Sequence, residues 1–208
     1  MSGLADAKAA MADIYERNAA WWDARRDLSM YEAPWLNRMM DGLPPRPRIL
    51  DLGCGTGQPI ARYLMDAGAT VVGVDASSAM IQTAKRNVPD GTWHVADMRS
   101  LPELGPFDAI VSWDAFFHLS PHEQRAGFPE LCARIRPGGA FLATIGPSEG
   151  ECEGWINGER VYHGSLSEGE YRRRLGASGF EDIQYSPEAP DMRGRSLLLA
   201  RGKSASAA

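Results

Sequence analysis

The sequence predicts an α/β fold, a doubly wound parallel sheet with helices on both faces, and three observations carry that expectation. Short apolar, β-branched runs alternate with helical segments along most of the chain. The first such run, residues 49–52, enters a turn with three alternating glycines, Gly53, Gly55 and Gly57. The second, residues 69–75, ends in Asp75, a carboxylate at the carboxyl end of what reads as a buried parallel strand. Ligands of open parallel sheets bind beyond that edge.

In chain order, helices are expected over 6–26 and 33–41, then 59–67 behind Pro59, then 77–87 with Ser77 able to cap it. Strands at 92–96 and 107–112 precede a helix that starts at Pro121 and ends at the turn Arg136-Pro-Gly-Gly139. A strand over 140–145 follows. Asn157-Gly158 between strand-like quartets 153–156 and 159–162 predicts a hairpin. A helix over 167–178 and strands over 180–186 and 193–201 close the chain, and the tail after them is expected to fray.

The glycine turn lets main chain approach a ligand closely, and the helix behind it offers unpaired N–H groups. A dinucleotide fingerprint, G-x-G-x-x-G, would need a glycine at position 58, which is Gln58. A plain strand-to-helix turn is the other reading. Asp75 suits a clamp on the two hydroxyls of a ribose, or else a helix N-cap. After the next strand come Asp97 and Met98, a carboxylate for an adenine amino group and a thioether to pack on the ring.

Asp51-Leu-Gly-Cys-Gly-Thr-Gly57, Asp75, Asp97-Met98, the string from Phe107 to Pro121 and Arg134-Ile-Arg-Pro-Gly-Gly-Ala140 stand in the order of the class I S-adenosylmethionine (SAM) methyltransferases, and the chain resembles that family over roughly residues 48 to 145. The resemblance implies a seven-stranded, mostly parallel sheet whose last strand is antiparallel, and SAM as cofactor. It implies a cofactor site made by Asp51, Gly53, Cys54, Gly55, Asp75, Ala76, Met80, Asp97, Met98 and Trp113. One domain is expected: a helical lid over 1–42, a cofactor core over 43–148, a hairpin insertion over 149–166, a helix and strand pair over 167–202, and a loose tail over 203–208.

Two segments outside the shared core should shape the substrate pocket. Met11, Tyr15, Ala19, Trp22 and Arg26 step by four, four, three and four and share one helix face. That face is either core packing with a surface arginine or, as in lids of similar small-molecule enzymes, a cover in which Tyr15 and Trp22 close on the cofactor and Arg26 meets its carboxylate. The hairpin either hangs beside the reactive methyl or protects the sheet edge.

Methyl transfer is a direct displacement that needs alignment and exclusion of water, and needs a base only when the nucleophile arrives protonated. His118 is the first candidate base and His163 the second, each alternatively a structural histidine. His118 and His122 lack a shared helix, because Pro121 starts one between them, so no metal site is expected. Tyr15, Trp22, Trp113, Phe116, Phe117, Trp155 and Tyr162 suggest a small, partly apolar substrate with an N or O nucleophile. A SAM-binding regulator and, less well supported given Gln58, a nicotinamide dehydrogenase are the competing functions.

Composition bounds the rest. The chain has 208 residues, 44 % hydrophobic and 24 % charged, which suits one globular domain. A net charge of −5 without a basic block, apart from Arg172-Arg-Arg174, argues against nucleic acid as partner. Where nucleic-acid amino-methyltransferases resemble one another in a polar-Pro-Pro-aromatic motif, Ser112-Trp-Asp-Ala115 stands instead. Apolar runs are too short to span a membrane, and an early acidic residue argues against a secretory signal, so a cytoplasmic protein is expected. Three cysteines without metal spacing are expected as thiols.

Overall fold

The computed structural model describes residues 3–205. Helices α1 (Gly3–Ala9), α2 (Met11–Arg25) and α3 (Ala33–Met40) precede the sheet. Strand β1 (Arg48–Leu52) leads to α4 (Ile60–Asp66), β2 (Thr70–Asp75), α5 (Ser78–Asn87), β3 (Thr92–Val95) and β4 (Phe107–Ser112). Then come α6 (Pro121–Ala133), β5 (Ile135–Ile145), the hairpin β6 (Gly150–Ile156) and β7 (Glu159–Ser165), α7 (Glu168–Ala177), β8 (Asp182–Ala189) and β9 (Arg195–Arg201).

Seven strands form one sheet in the order β3-β2-β1-β4-β5-β9-β8. The pairs β3-β2, β2-β1, β1-β4 and β4-β5 are parallel, whereas β9 runs antiparallel to both neighbours. Strand order reverses between β1 and β4, so the carboxyl ends of β1, β2 and β4 open on one crevice. One core fills the face carrying Ile49, Val111 and Leu142, and a second fills the face carrying Leu50, Ile110 and Phe141, as alternation along buried strands demands.

Asn157 and Gly158 turn with φ of +48° and +77°, the mirror-image turn that matches strand twist, and join β6 to β7 as a separate two-stranded sheet. This hairpin is not a free flap. Ile156 and Val161 pack against Ile14 of α2 in a small third core. Asn18 Nδ2 donates to Glu159 Oε1 at 2.7 Å, and Asn157 Nδ2 donates to Asn18 Oδ1 at 2.7 Å. Arg17 pairs with Glu159 beside them.

Three local expectations are corrected. The N-terminal helix is interrupted at Ala10, where φ −86° and ψ −4° open the turn. Arg136-Pro-Gly-Gly139 does not end α6; it bulges within β5, with Phe107 opposite Ile135 and Ala109 opposite Ala140. Gly138 supplies the φ of +79° this bulge requires. The tail is tied at its start: Lys203 Nζ donates to Cys132 O at 2.7 Å, and Ser204 N donates to Gly179 O at 2.7 Å. Residues 206–208 of that tail lie outside the described residues.

Arg172 and Arg174 of the basic cluster pair with Glu168 and Glu170 one turn back. Cys54, Cys132 and Cys152 are free thiols. Among the described residues no helix is long and apolar enough to cross a membrane.

Candidate active site

The glycine turn is held against β2 by Gly53 N–H and Cys54 N–H, which both donate to Val74 O at 2.7 and 3.0 Å. Gly53 has φ +77°, and a Cβ there would lie 2.2 Å from Ala115 Cβ. Only glycine meets both demands. Asp75 Oδ2 accepts from Gly55 N–H at 3.0 Å and Oδ1 accepts from Ser77 N–H at 2.9 Å. Ser77, not Asp75, caps α5, since its hydroxyl accepts from Met80 N–H at 3.0 Å. Each Asp75 oxygen keeps a lone pair for a further donor. Burial raises the carboxyl pKa of Asp75, while these backbone donors pull it down.

Every residue expected at the cofactor lines one cavity above these strand ends, from Tyr15, Trp22 and Arg26 on α2 and its exit to Met98 and Trp113. His118 lines it too. Asp51 is buried, and burial first, then the Asp75 charge, pushes its carboxyl up to about 7 against the pull of Arg26. Arg26 is not a surface arginine: Nη2 meets Glu32 Oε1 at 2.5 Å, with the arginine side chain 11 % exposed. At the other end Arg99 holds the Asp97 carboxylate at 2.5 Å and keeps its pKa low.

Tyr15 and His118 meet at the inner end. Tyr15 Oη lies 2.8 Å from His118 Nε2, and His118 Nδ1 lies 2.8 Å from Tyr162 O. A carbonyl only accepts, so Nδ1 carries the hydrogen and Nε2 accepts from the phenol. Burial lowers His118 to about 4 and raises Tyr15 well above its ordinary value. His163, on β7, packs 5.3 Å from the His118 ring and 4.6 Å from Phe117, and burial lowers its pKa.

His163 lines a second cleft of about 620 Å³ between the hairpin and the turn before β9. Tyr15, Trp22 and Asp114 line both spaces, so the two meet there. Trp155, 64 % exposed, stands on the hairpin side of this cleft. The two candidate bases are therefore neighbours. Phe116 and Tyr162, expected to face substrate, do not: Phe116 is fully buried between Phe128 and Phe141, and Tyr162 is 1 % exposed. Tyr162 contributes its carbonyl instead. His118 lies in a short 3-10 turn (Phe116–His118) outside α6, so it and His122 do not share a helix face.

Sequence reasoning missed Asp114. It follows β4 with φ +54°, its N–H donates to Thr144 Oγ1 at 2.6 Å, and Arg195 Nε and Nη2 hold its carboxylate at 2.7 Å each. A carboxylate directly beyond a parallel strand was the available signal, the same one that marked Asp51 and Asp75.

A crevice at the switch point of a parallel sheet, with a glycine turn and an acidic residue on adjacent strand ends, is the arrangement of a Rossmann-like fold. Residues 49–139 match the family model described as "Methyltransferase domain". Over 159 residues the chain is 30 % identical to dTDP-4-amino-2,3,4,6-tetradeoxy-D-glucose N,N-dimethyltransferase of Saccharopolyspora spinosa, covering 74 % of this chain and 61 % of that protein. Over 139 residues it is 34 % identical to demethylmenaquinone methyltransferase of Beutenbergia cavernae, covering 64 % and 57 %. The matches span about half the length of the first curated relatives. Among solved structures, SAM-bound CalS10, an amino pentose methyltransferase from Micromonospora echinaspora, superposes with a TM-score of 0.69 at 21 % identity, covering 89 % of this chain and 96 % of that one. Residues 49–139 are thus similar to methyltransferase domains, and the chain shares the fold of a SAM-bound methyltransferase.

Proposed function

We propose that the protein transfers the methyl group of SAM to an N or O nucleophile of a small molecule by direct in-line displacement. The residues present fit the cofactor. Arg26 and the indole N–H of Trp113, a buried donor without a partner among the described residues, suit its carboxylate; the buried carboxyl of Asp51 suits its ammonium. Asp75 would accept from the ribose hydroxyls with its spare lone pairs, and Met98 would pack on the adenine. When bound, SAM supplies an electrophilic methyl on a good leaving group.

This chain's residues then orient and exclude water. Tyr15 and Trp22 form the wall between the two spaces, and the hydroxyl of Tyr15 is fixed by His118. His163, whose ring nitrogens are free of the hydrogen bonds that hold His118, would take the proton from a nucleophile in the second cleft. The meeting of a cofactor-sized cavity and a second cleft at Tyr15, Trp22 and Asp114 carries this reading, because a protein that only senses the cofactor has no use for the second space. The acidic balance, −5 overall, supports a small substrate in place of nucleic acid, and a cytoplasmic setting, where SAM is made, belongs to the same proposal.

Incubation with SAM and pooled amines, phenols, alcohols and carboxylates, read by S-adenosylhomocysteine formation, tests it. Product should appear with at least one pool and disappear with His163→Gln plus Tyr15→Phe. Tight binding of SAM with no turnover across all pools would favour the regulator.

A further inference from the structure

Glu32 stands immediately before α3 and is wholly buried, 0 % exposed. One carboxylate oxygen, Oε1, receives Arg26 Nη2 at 2.5 Å; the other, Oε2, has no hydrogen-bond partner among the described residues. A buried carboxylate satisfied at one oxygen is a costly arrangement that a methionine or leucine of similar volume would avoid. Its one visible product is the placement of Arg26. Among the described residues the guanidinium makes one further hydrogen bond, a long one from Nη1 to Asp27 O at 3.4 Å. Arg26 and Trp113 line the same cavity, and the Trp113 indole N–H, at 4 % exposure, is a buried donor without an acceptor among the described residues.

Donors with no protein acceptor beside a cavity call for an anion, and the five N–H groups of a guanidinium can serve two carboxylates on different edges. We propose that Glu32 is a positioning residue for cofactor binding: it pins Arg26 so that the remaining guanidinium donors, together with Trp113 N–H, receive the carboxylate of the SAM amino acid end. This rests on the SAM assignment made above. The opposite relation, in which Glu32 competes with the ligand for Arg26, makes the reverse forecast.

Calorimetry with two ligands separates these. S-adenosylhomocysteine carries the amino acid end; 5′-methylthioadenosine shares the adenosine and thioether but lacks it. Glu32→Gln should weaken S-adenosylhomocysteine about 10- to 100-fold while changing 5′-methylthioadenosine less than about threefold. In an Arg26→Ala background, Glu32→Gln should have no further effect on either ligand. Equal losses for both ligands would make Glu32 merely structural, and tighter S-adenosylhomocysteine binding would make it a competitor; either overturns the proposal. Circular dichroism and a thermal melt check folding, and should Glu32→Gln fail them, Glu32→Asp, one methylene shorter, must show the same ligand-selective loss. If the parent protein binds 5′-methylthioadenosine and S-adenosylhomocysteine equally, no carboxylate site exists and the proposal falls; if it binds neither, the cofactor assignment itself falls.

Discussion

Tyr15 and His118, 103 residues apart in sequence, share a 2.8 Å hydrogen bond that ties the N-terminal helix to the strand-end turn beneath the reaction site. Burial raises the phenol and lowers the imidazole to about 4, so the proton stays on Tyr15 and His118 serves as its acceptor. In the proposed mechanism the neighbouring His163 is then the group that moves a proton.

Replacing His163 with Gln should remove the acid limb of kcat/KM for a substrate that arrives protonated, lowering turnover by roughly 10²- to 10⁴-fold. Burial lowers the pKa of His163, so that limb should fall below the ordinary imidazole value near 6.5. Tyr15→Phe should leave the limb in place and reduce turnover about tenfold, the worth of one oriented hydrogen bond. An unchanged pH profile in His163→Gln would remove it from the chemistry.

Asp51→Asn should trade binding for stability. The folded carboxyl titrates at about 7 against an ordinary 3.8, so ionising it costs folding free energy as pH rises through 7. Asn avoids that cost. The free variant should match the parent near pH 3.5 and exceed its stability above pH 7 by up to about 4 kcal/mol in urea unfolding, while binding S-adenosylhomocysteine more weakly. A variant less stable than the parent at pH 8 would contradict the buried-charge account.

Gly53→Ala combines a left-handed backbone at φ +77° with a Cβ 2.2 Å from Ala115 Cβ. Strain and overpacking should cost about 2 to 5 kcal/mol together, and the turn should lose its grip on ligand. Gly55→Ala, whose added Cβ meets only Trp22 Nε1 at 3.7 Å, should cost less stability. Equal melting losses would mean that the Ala115 contact relaxes freely.

Hydrogen exchange should show α2 and the hairpin responding together to ligand. Ile14, Ile156 and Val161 form one small core, and Glu16 Oε2 also fastens α2 to α5 by accepting from Ala79 N–H at 3.0 Å. Bound S-adenosylhomocysteine should slow exchange in Met11–Arg25 and in Glu159–Ser165 by similar factors. Slow exchange in both without ligand, unchanged on binding, would make α2 permanent packing and not a lid.

The parts legible in the sequence are those fixed by local pattern. Buried strand runs announce Asp51 and Asp75 at their carboxyl ends, Asn157-Gly158 announces its turn, and Ser77 announces the cap of α5. What escaped depends on distant pairing. Nothing local reveals that Tyr15 meets His118 or that Glu32 pins Arg26. Phe116 and Tyr162 turn inward because an aromatic in an apolar stretch suits a core as well as a pocket. Ala10 interrupts a helix although alanine is the best helix former, so the break is set by packing of α1 and α2 against the hairpin.

Titration of S-adenosylhomocysteine into the parent protein and into Asp75→Ala tests the central claim most directly. The parent should bind and, at 100-fold ligand excess over Kd, gain about 2.7 kcal/mol of stability. Asp75→Ala should bind about 30- to 1000-fold more weakly, since ribose acceptors are lost and Gly55 N–H loses its partner. An affinity within threefold of the parent in folded Asp75→Ala, or no binding by the folded, ligand-free parent, would contradict it.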